Sequence, residues 1–166
     1  VRNKKAGFKF TYVPLGDQGP SRPGNPMDKH TYTTGDKGYI AYDSTKYDMT
    51  VFDYVAPMLY WGSTSYDTIK WPWITYWIQN WLDAGWPPEK IILTFQSQSI
   101  KDHQDVLQSL VQAVYTGRYD GTNHFKYKGK DVSGFAGLMG WPAGNAETDT
   151  GNITAALTFA QKIPGS

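Results

Sequence analysis

Cysteine is absent from the 166 residues, which excludes disulfides and thiolate metal sites. Glutamate is nearly absent: Glu89 and Glu147 are the only two among fifteen acidic residues. The three histidines, His30, His103 and His124, stand far apart, and no pair has metal-ligand spacing. No apolar run approaches the roughly 20 residues of a membrane helix. Basic residues do not cluster and the net charge is +1, so neither nucleic acid nor an anionic membrane is expected as a partner. No Gly-rich phosphate loop follows any strand-like segment, and nothing points to a cofactor or a bound metal.

Aromatic residues are abundant instead. They make up 16% of the chain, with seven Trp and twelve Tyr. Such side chains either fill a core or offer flat faces to the C–H surfaces of sugars. The length fits one domain, residues 1–166. The opening VRNKKAGFKF reads as a helix end running into a strand, so a fragment or a processed product is expected.

Four strands and three helices alternate along the chain. FKFTYVPL and VFDYVAPMLY are β-rich, and between them lies a long segment dense in Gly, Pro, Asp and Asn. In TIKWPWITYWIQNWLDAG, the pairs Trp73/Ile74, Trp77/Ile78 and Trp81/Leu82 recur at helical spacing. Pro72 fits the first turn and Gly85 fits the C-terminal cap. This spacing makes Trp73, Trp77 and Trp81 core residues. KIILTFQ is a continuous apolar run of the kind buried in parallel sheets. KDHQDVLQSLVQAVYTG is a second helix, closed by Gly117. RYDGTNHFKYKGKD suggests a small hairpin, SGFAGLMGW a fourth strand, and GNITAALTFAQKI a third helix. Asn152-Ile153-Thr154 is a formal glycosylation acceptor triplet.

Repeated β/α units imply an α/β fold with a parallel sheet and right-handed crossovers. Four strands do not close a barrel. They make either the second half of a (β/α)8 TIM barrel or a small open parallel sheet. Alternation places Tyr54, Ala56, Met58 and Tyr60 on one strand face. Phe135, Gly137, Met139 and Trp141 share another, and Ile92, Thr94 and Gln96 a third. Tyr60, Gln96 and Trp141 then fall at strand C-terminal ends, where α/β folds bind ligands.

These segments carry a resemblance. FDYVAPMLYW is similar to the sixth-strand pattern of family-18 glycosidases, the chitinases and endo-β-N-acetylglucosaminidases. Asp53, Met58 and Tyr60 match that pattern, and Trp61 stands where the family has a carboxylate or amide. AGFKFTYVPL, GWPPEKIILTF and GFAGLMGW resemble the fifth, seventh and eighth strands with their lead-ins. The resemblance covers most of the chain but only the second half of the family barrel.

It implies substrate-assisted retaining hydrolysis of β-1,4-linked N-acetylglucosamine glycans, in which the sugar's own acetamido oxygen is the nucleophile. Tyr60 would hydrogen-bond that acetamido group and Met58 would pack beneath it. Trp141 would stack on the distorted sugar beside Met139, with Trp61 and Gln96 adding contacts. The family's general acid, the Glu of DxxDxDxE, has no counterpart here, so it is expected on chain upstream of Val1. Glu147 lies on the side of the sheet where an acid is needed; Glu89 lies at the opposite end. The partners implied are an oligosaccharide and the N-terminal half of the barrel or a second copy of the chain. Location is left open, with an extracellular setting favoured. A non-catalytic glycan-binding protein on the same scaffold is the alternative, made credible by Trp61.

Overall fold

The computed structural model describes residues 9–14, 49–59, 71–96, 100, 103–141 and 146–163; the side chains of residues 73 and 146–149 are not described. Over these residues the chain is a small α/β domain of short parallel strands and three helices. The elements are β1 (Thr11–Tyr12), β2 (Tyr54–Val55), α1 (Trp71–Asp83), β3 (Ile92–Gln96), α2 (Gln104–Thr116), β4 (Lys126–Tyr127), β5 (Lys130–Asp131), β6 (Gly137–Trp141) and α3 (Ala146–Ala160). The Gly- and Pro-rich segment 16–39 falls outside the described residues.

Strands β1 and β2 pair in parallel, Thr11 opposite Tyr54 and Tyr12 opposite Val55. A parallel bridge between Val55 and Ile91 joins β2 to the start of β3. Strands β3 and β6 then pair in parallel from Ile92–Gly137 to Gln96–Trp141. The four parallel segments therefore neighbour one another in chain order. The first two strands are shorter than their β-rich runs. β1 and β2 hold two paired residues each, although Met58 N–H still donates to Pro14 O at 2.8 Å.

The first helix forms where the apolar spacing calls for it. Ile74, Trp77, Ile78, Trp81 and Leu82 are all buried, a stripe at i, i+3, i+4, i+7 and i+8. Trp77 and Trp81 are thus core residues, as their spacing predicts, while the side chain of Trp73 lies outside the description. The helix ends in a complete Schellman turn. Gly85 N–H donates to Leu82 O and Trp86 N–H to Trp81 O. Gly85 adopts φ +99°, open to glycine without a Cβ penalty. The rings of Trp81 and Trp86 meet edge-on at 6.1 Å, which supplies the apolar contact of that motif.

In β3 the alternation resolves as expected. Ile91, Leu93 and Phe95 are buried in the main cluster with Ile74, Trp81, Leu107 and Leu110 of the helices. Burying a side chain of this size is worth roughly 1.5–3 kcal/mol over leaving it exposed. The second helix buries Val106, Leu107, Leu110, Val111 and Ala113, and Gly117 closes it in the left-handed region.

The polar stretch after α2 is a hairpin, β4 against β5. It lies along α1: Trp71 Nε1 donates to Tyr119 O, Gln79 Nε2 to Lys126 O, and Tyr127 OH to Gly85 O. One expected face is corrected here. Phe135 does not share the exposed face of Met139 and Trp141. It lies two residues before β6 begins and is buried edge-on against Phe125 of the hairpin, ring centroids 5.4 Å apart. The third helix starts at Ala146, earlier than the apolar pattern marks.

Candidate functional site

The candidate site is the C-terminal rim of β3 and β6. Apolar runs on both sides of Thr94 pull β3 into the core, and the strand stops at Gln96. GFAGLMGW delivers Trp141 to the same level of β6. The register makes Gln96 and Trp141 direct partners, and Thr94 and Met139 partners one step below. Paired residues of parallel neighbours point to one side of a sheet, so an amide and an indole stand together at the rim. Trp141 is 39% exposed, and Gln96 and Met139 are half-buried. On the opposite side, the ring of Phe95 lies so close to Gly140 that a Cβ there would fall 2.9 Å from it. Glycine at 140 thus lets the aromatic of β3 cover β6 and fixes the height of the two strand ends.

The end of β2 is fastened to this rim by one hydroxyl. Thr94 is fully buried. Its Oγ1 donates to Pro57 O at 2.6 Å and accepts from Leu59 N–H at 3.0 Å. The chain beyond Val55 is thereby held against β3 up to Leu59. Met58 is half-buried and packs partly against the core. Tyr60 and Trp61, two of the expected sugar contacts, lie outside the described residues, so the rim is described through Met58, Gln96, Met139 and Trp141.

The other singled-out residues fall elsewhere. Asp53, singled out by the expected resemblance, accepts the Phe10 N–H at 2.8 Å and lies 3.6 Å from the Lys9 ammonium. It ties the approach of β1 to that of β2. Glu89 sits in a single 3-10 turn, Pro88–Lys90, ahead of β3 and far from the rim, as expected. Glu147 belongs to the first turn of α3 and its side chain is not described. Asn152 of the acceptor triplet is only 3% exposed, and its Oδ1 accepts from Gln104 Nε2 at 2.9 Å. Folding closes that triplet by turning its amide into a clamp between α2 and α3.

The rim offers an indole face and a carboxamide, groups that stack and hydrogen-bond. Among the described residues it presents no carboxylate, and no group of three His, Asp or Glu side chains is arranged to hold a metal ion. Among the described residues, hydrogen bonds led by the Asn123 side chain lower the pKa of Asp120, in the turn between α2 and β4, and a hydrogen bond from Lys126 lowers that of Asp131 on β5. No described helix is long and apolar enough to cross a membrane. The Thr94 fastening was not anticipated. Its signal in the sequence is a lone hydroxyl residue inside the apolar run IILTF, where burial demands partners.

No family model, no curated protein and no solved structure matches the chain.

Proposed function

We propose that this chain is the sugar-binding half of a family-18-like glycoside hydrolase, with strands equivalent to the fifth to eighth of a (β/α)8 barrel. What carries the reading is the pairing of Gln96 with Trp141 at the C-terminal ends of adjacent parallel strands. The chain-order arrangement of four parallel strands supports the barrel half, because right-handed crossovers that always advance in one direction place their helices on one side. An open doubly wound sheet instead reverses direction at a switch point.

In this reading the indole of Trp141 floors the sugar, the Gln96 amide bonds a ring substituent, and Met58 and Met139 pack beneath. Tyr60 orients the acetamido oxygen for attack on the anomeric carbon, and Trp61 extends the stacking surface. The departing glycosidic oxygen needs a proton, and this reading assigns it to the DxxDxDxE glutamate, so the chain by itself is expected to bind N-acetylglucosamine oligomers without cleaving them. Hydrolysis requires the polypeptide that bears the DxxDxDxE glutamate, which is also the partner that completes the barrel.

A glycan-binding protein without hydrolysis is the second reading, favoured by Trp61 in the place of the family's carboxylate or amide. Calorimetric titration with chitotetraose, paired with a fluorogenic chitobioside assay, tests both. Binding without turnover by the isolated chain is expected. Turnover on adding an acid-bearing N-terminal half selects the hydrolase. Binding with no turnover in the completed barrel selects the binding protein, and absence of binding in either form removes the carbohydrate reading.

A further inference from the structure

A second concave surface lies away from the rim. A crevice of about 640 Å³ opens between α2, β6 and α3, within the size range of small-molecule sites. Its walls are apolar: Val111 and Val114 of α2, Leu138 of β6, and Ile153, Ala156 and Leu157 of α3. Ile153 and Leu157 are 56% and 61% exposed, far more than large aliphatic side chains in a packed helix interface. α3 rests on α2, where Gln104 clamps Asn152, and its apolar stripe overlooks β6 across the gap.

The polar groups of the crevice gather at one end. Glu89 lies in the turn before β3, Tyr115 in the last turn of α2, and Ser133 in the lead-in to β6. All three are at the N-terminal end of the strands. Phe95 and Gly140 line the other end. Among the described residues Glu89 makes no hydrogen bond or ion pair, and no Lys or Arg lines the crevice. The adjacent Lys90 ammonium is engaged elsewhere, donating to Met49 O at 3.0 Å and Phe52 O at 2.9 Å. The surface thus pairs a single uncompensated carboxylate with an apolar trough that follows β6 for roughly 16 Å.

We propose that this crevice binds a cationic amphiphile, a small molecule with an elongated apolar body and one ammonium head, the head meeting Glu89 and the body lying between β6 and α3. The charge decides among occupants: an anionic amphiphile would set its head against the exposed Glu89 carboxylate, a neutral one would gain nothing from it, and an ammonium head would gain an exposed ion pair. The site is separate from the sugar rim, and the proposal does not depend on the carbohydrate reading.

The test is a titration of the full chain with decylammonium, decanol and decanoate, each below its micelle concentration, followed by amide chemical shifts. Decylammonium should bind tightest and decanoate weakest, with shifts confined to α2, β6 and α3. Glu89→Gln should remove the advantage of decylammonium over decanol, about three- to fivefold for an exposed ion pair, and leave decanol unchanged. Leu157→Asn should weaken all three. Both side chains are exposed, so neither variant threatens the fold. Equal binding of decanoate and decylammonium overturns the proposal, as does insensitivity to Glu89→Gln. Sedimentation showing a dimer that Leu157→Asn dissociates, with no probe binding, also overturns it and assigns the trough to a second copy.

Discussion

Gln96 and Trp141 face each other across the last rung of the β3–β6 ladder. A ligand that stacks on the indole lies within reach of the amide, so the two contributions are coupled. Trp141→Ala is expected to weaken chito-oligosaccharide binding by about 1–3 kcal/mol, the scale of a lost aromatic contact surface. Gln96→Ala should cost about 1 kcal/mol, one hydrogen bond. The double variant should lose less than the sum by about 0.5 kcal/mol or more, because neighbouring contacts to one ligand are not independent. Calorimetry on the four proteins measures this. Strict additivity places the two side chains at separate sites, and unchanged affinity in Trp141→Ala removes the indole as the sugar floor.

Much of this arrangement was legible in the residues. Period-two alternation in IILTFQ separated the core face from the rim face, and the 3.6-residue recurrence of Trp77, Ile78, Trp81 and Leu82 marked a buried helix stripe. Gly85 and Gly117 marked the helix ends through their backbone freedom. What pattern could not supply was register. That Gln96 meets Trp141, and Thr94 meets Met139, depends on how two segments slide past each other, and the close approach of Phe95 to Gly140 is one contact consistent with that register. Alternation also overran its element at Phe135, because β6 begins only at Gly137 and the residues before it follow the hairpin. The crevice beside α3 was invisible for a related reason: an apolar stripe in a sequence does not say what it faces.

Gly117 should tolerate no side chain. It adopts φ +65°, and a Cβ there would lie 2.0 Å from Val132 O. Relief would require moving the backbone that links α2 to the hairpin. Gly117→Ala is expected to destabilise the protein by about 3 kcal/mol or more, combining left-handed strain with the overlap. Gly121, whose added Cβ meets nothing within 4 Å, is the control, and alanine there should change stability by no more than about 0.5 kcal/mol. Urea midpoints compare them. Equal midpoints would show that the α2 cap is not held as described.

The turn between α2 and β4 should respond to acid later than an ordinary aspartate. The Asn123 side-chain amide donates to Asp120 Oδ2 at 2.7 Å, and the backbone N–H groups of Asn123 and Thr122 donate to Oδ1 at 2.7 and 2.8 Å. Led by that Asn123 side-chain bond, these donors lower the Asp120 pKa to about 2. A carboxyl whose folded pKa is depressed favours the ordered loop at pH above its ordinary value, and the contribution disappears as pH falls through the folded pKa. The Thr122 and Asn123 amide shifts should therefore hold until about pH 3 and move with a midpoint near pH 2. Asp120→Ala should abolish the transition. A midpoint at the ordinary aspartate value would mean that these donors do not hold the carboxylate.

Thr94 is the joint on which the rim depends, because among the described residues its hydroxyl partners both Pro57 O and Leu59 N–H at the end of β2. Valine has nearly the same shape and would fill the space. It would also strand a buried acceptor and a buried donor, each costing about 1–3 kcal/mol when desolvated without a partner. Thr94→Val is therefore expected to lower stability by about 2–4 kcal/mol, with faster amide exchange at Leu59. Thr94→Ser keeps the oxygen and gives up one methyl group, so it should cost only about 1 kcal/mol. The ordering also bears on the site. If the rest of the domain survives Thr94→Val, the segment running from Met58 toward Tyr60 loses its attachment to β3. Sugar affinity should then fall further than the substitution's distance from Trp141 would suggest. A valine variant as stable as the parent, with Leu59 still protected, would show that β2 is held to β3 by packing rather than by this hydroxyl.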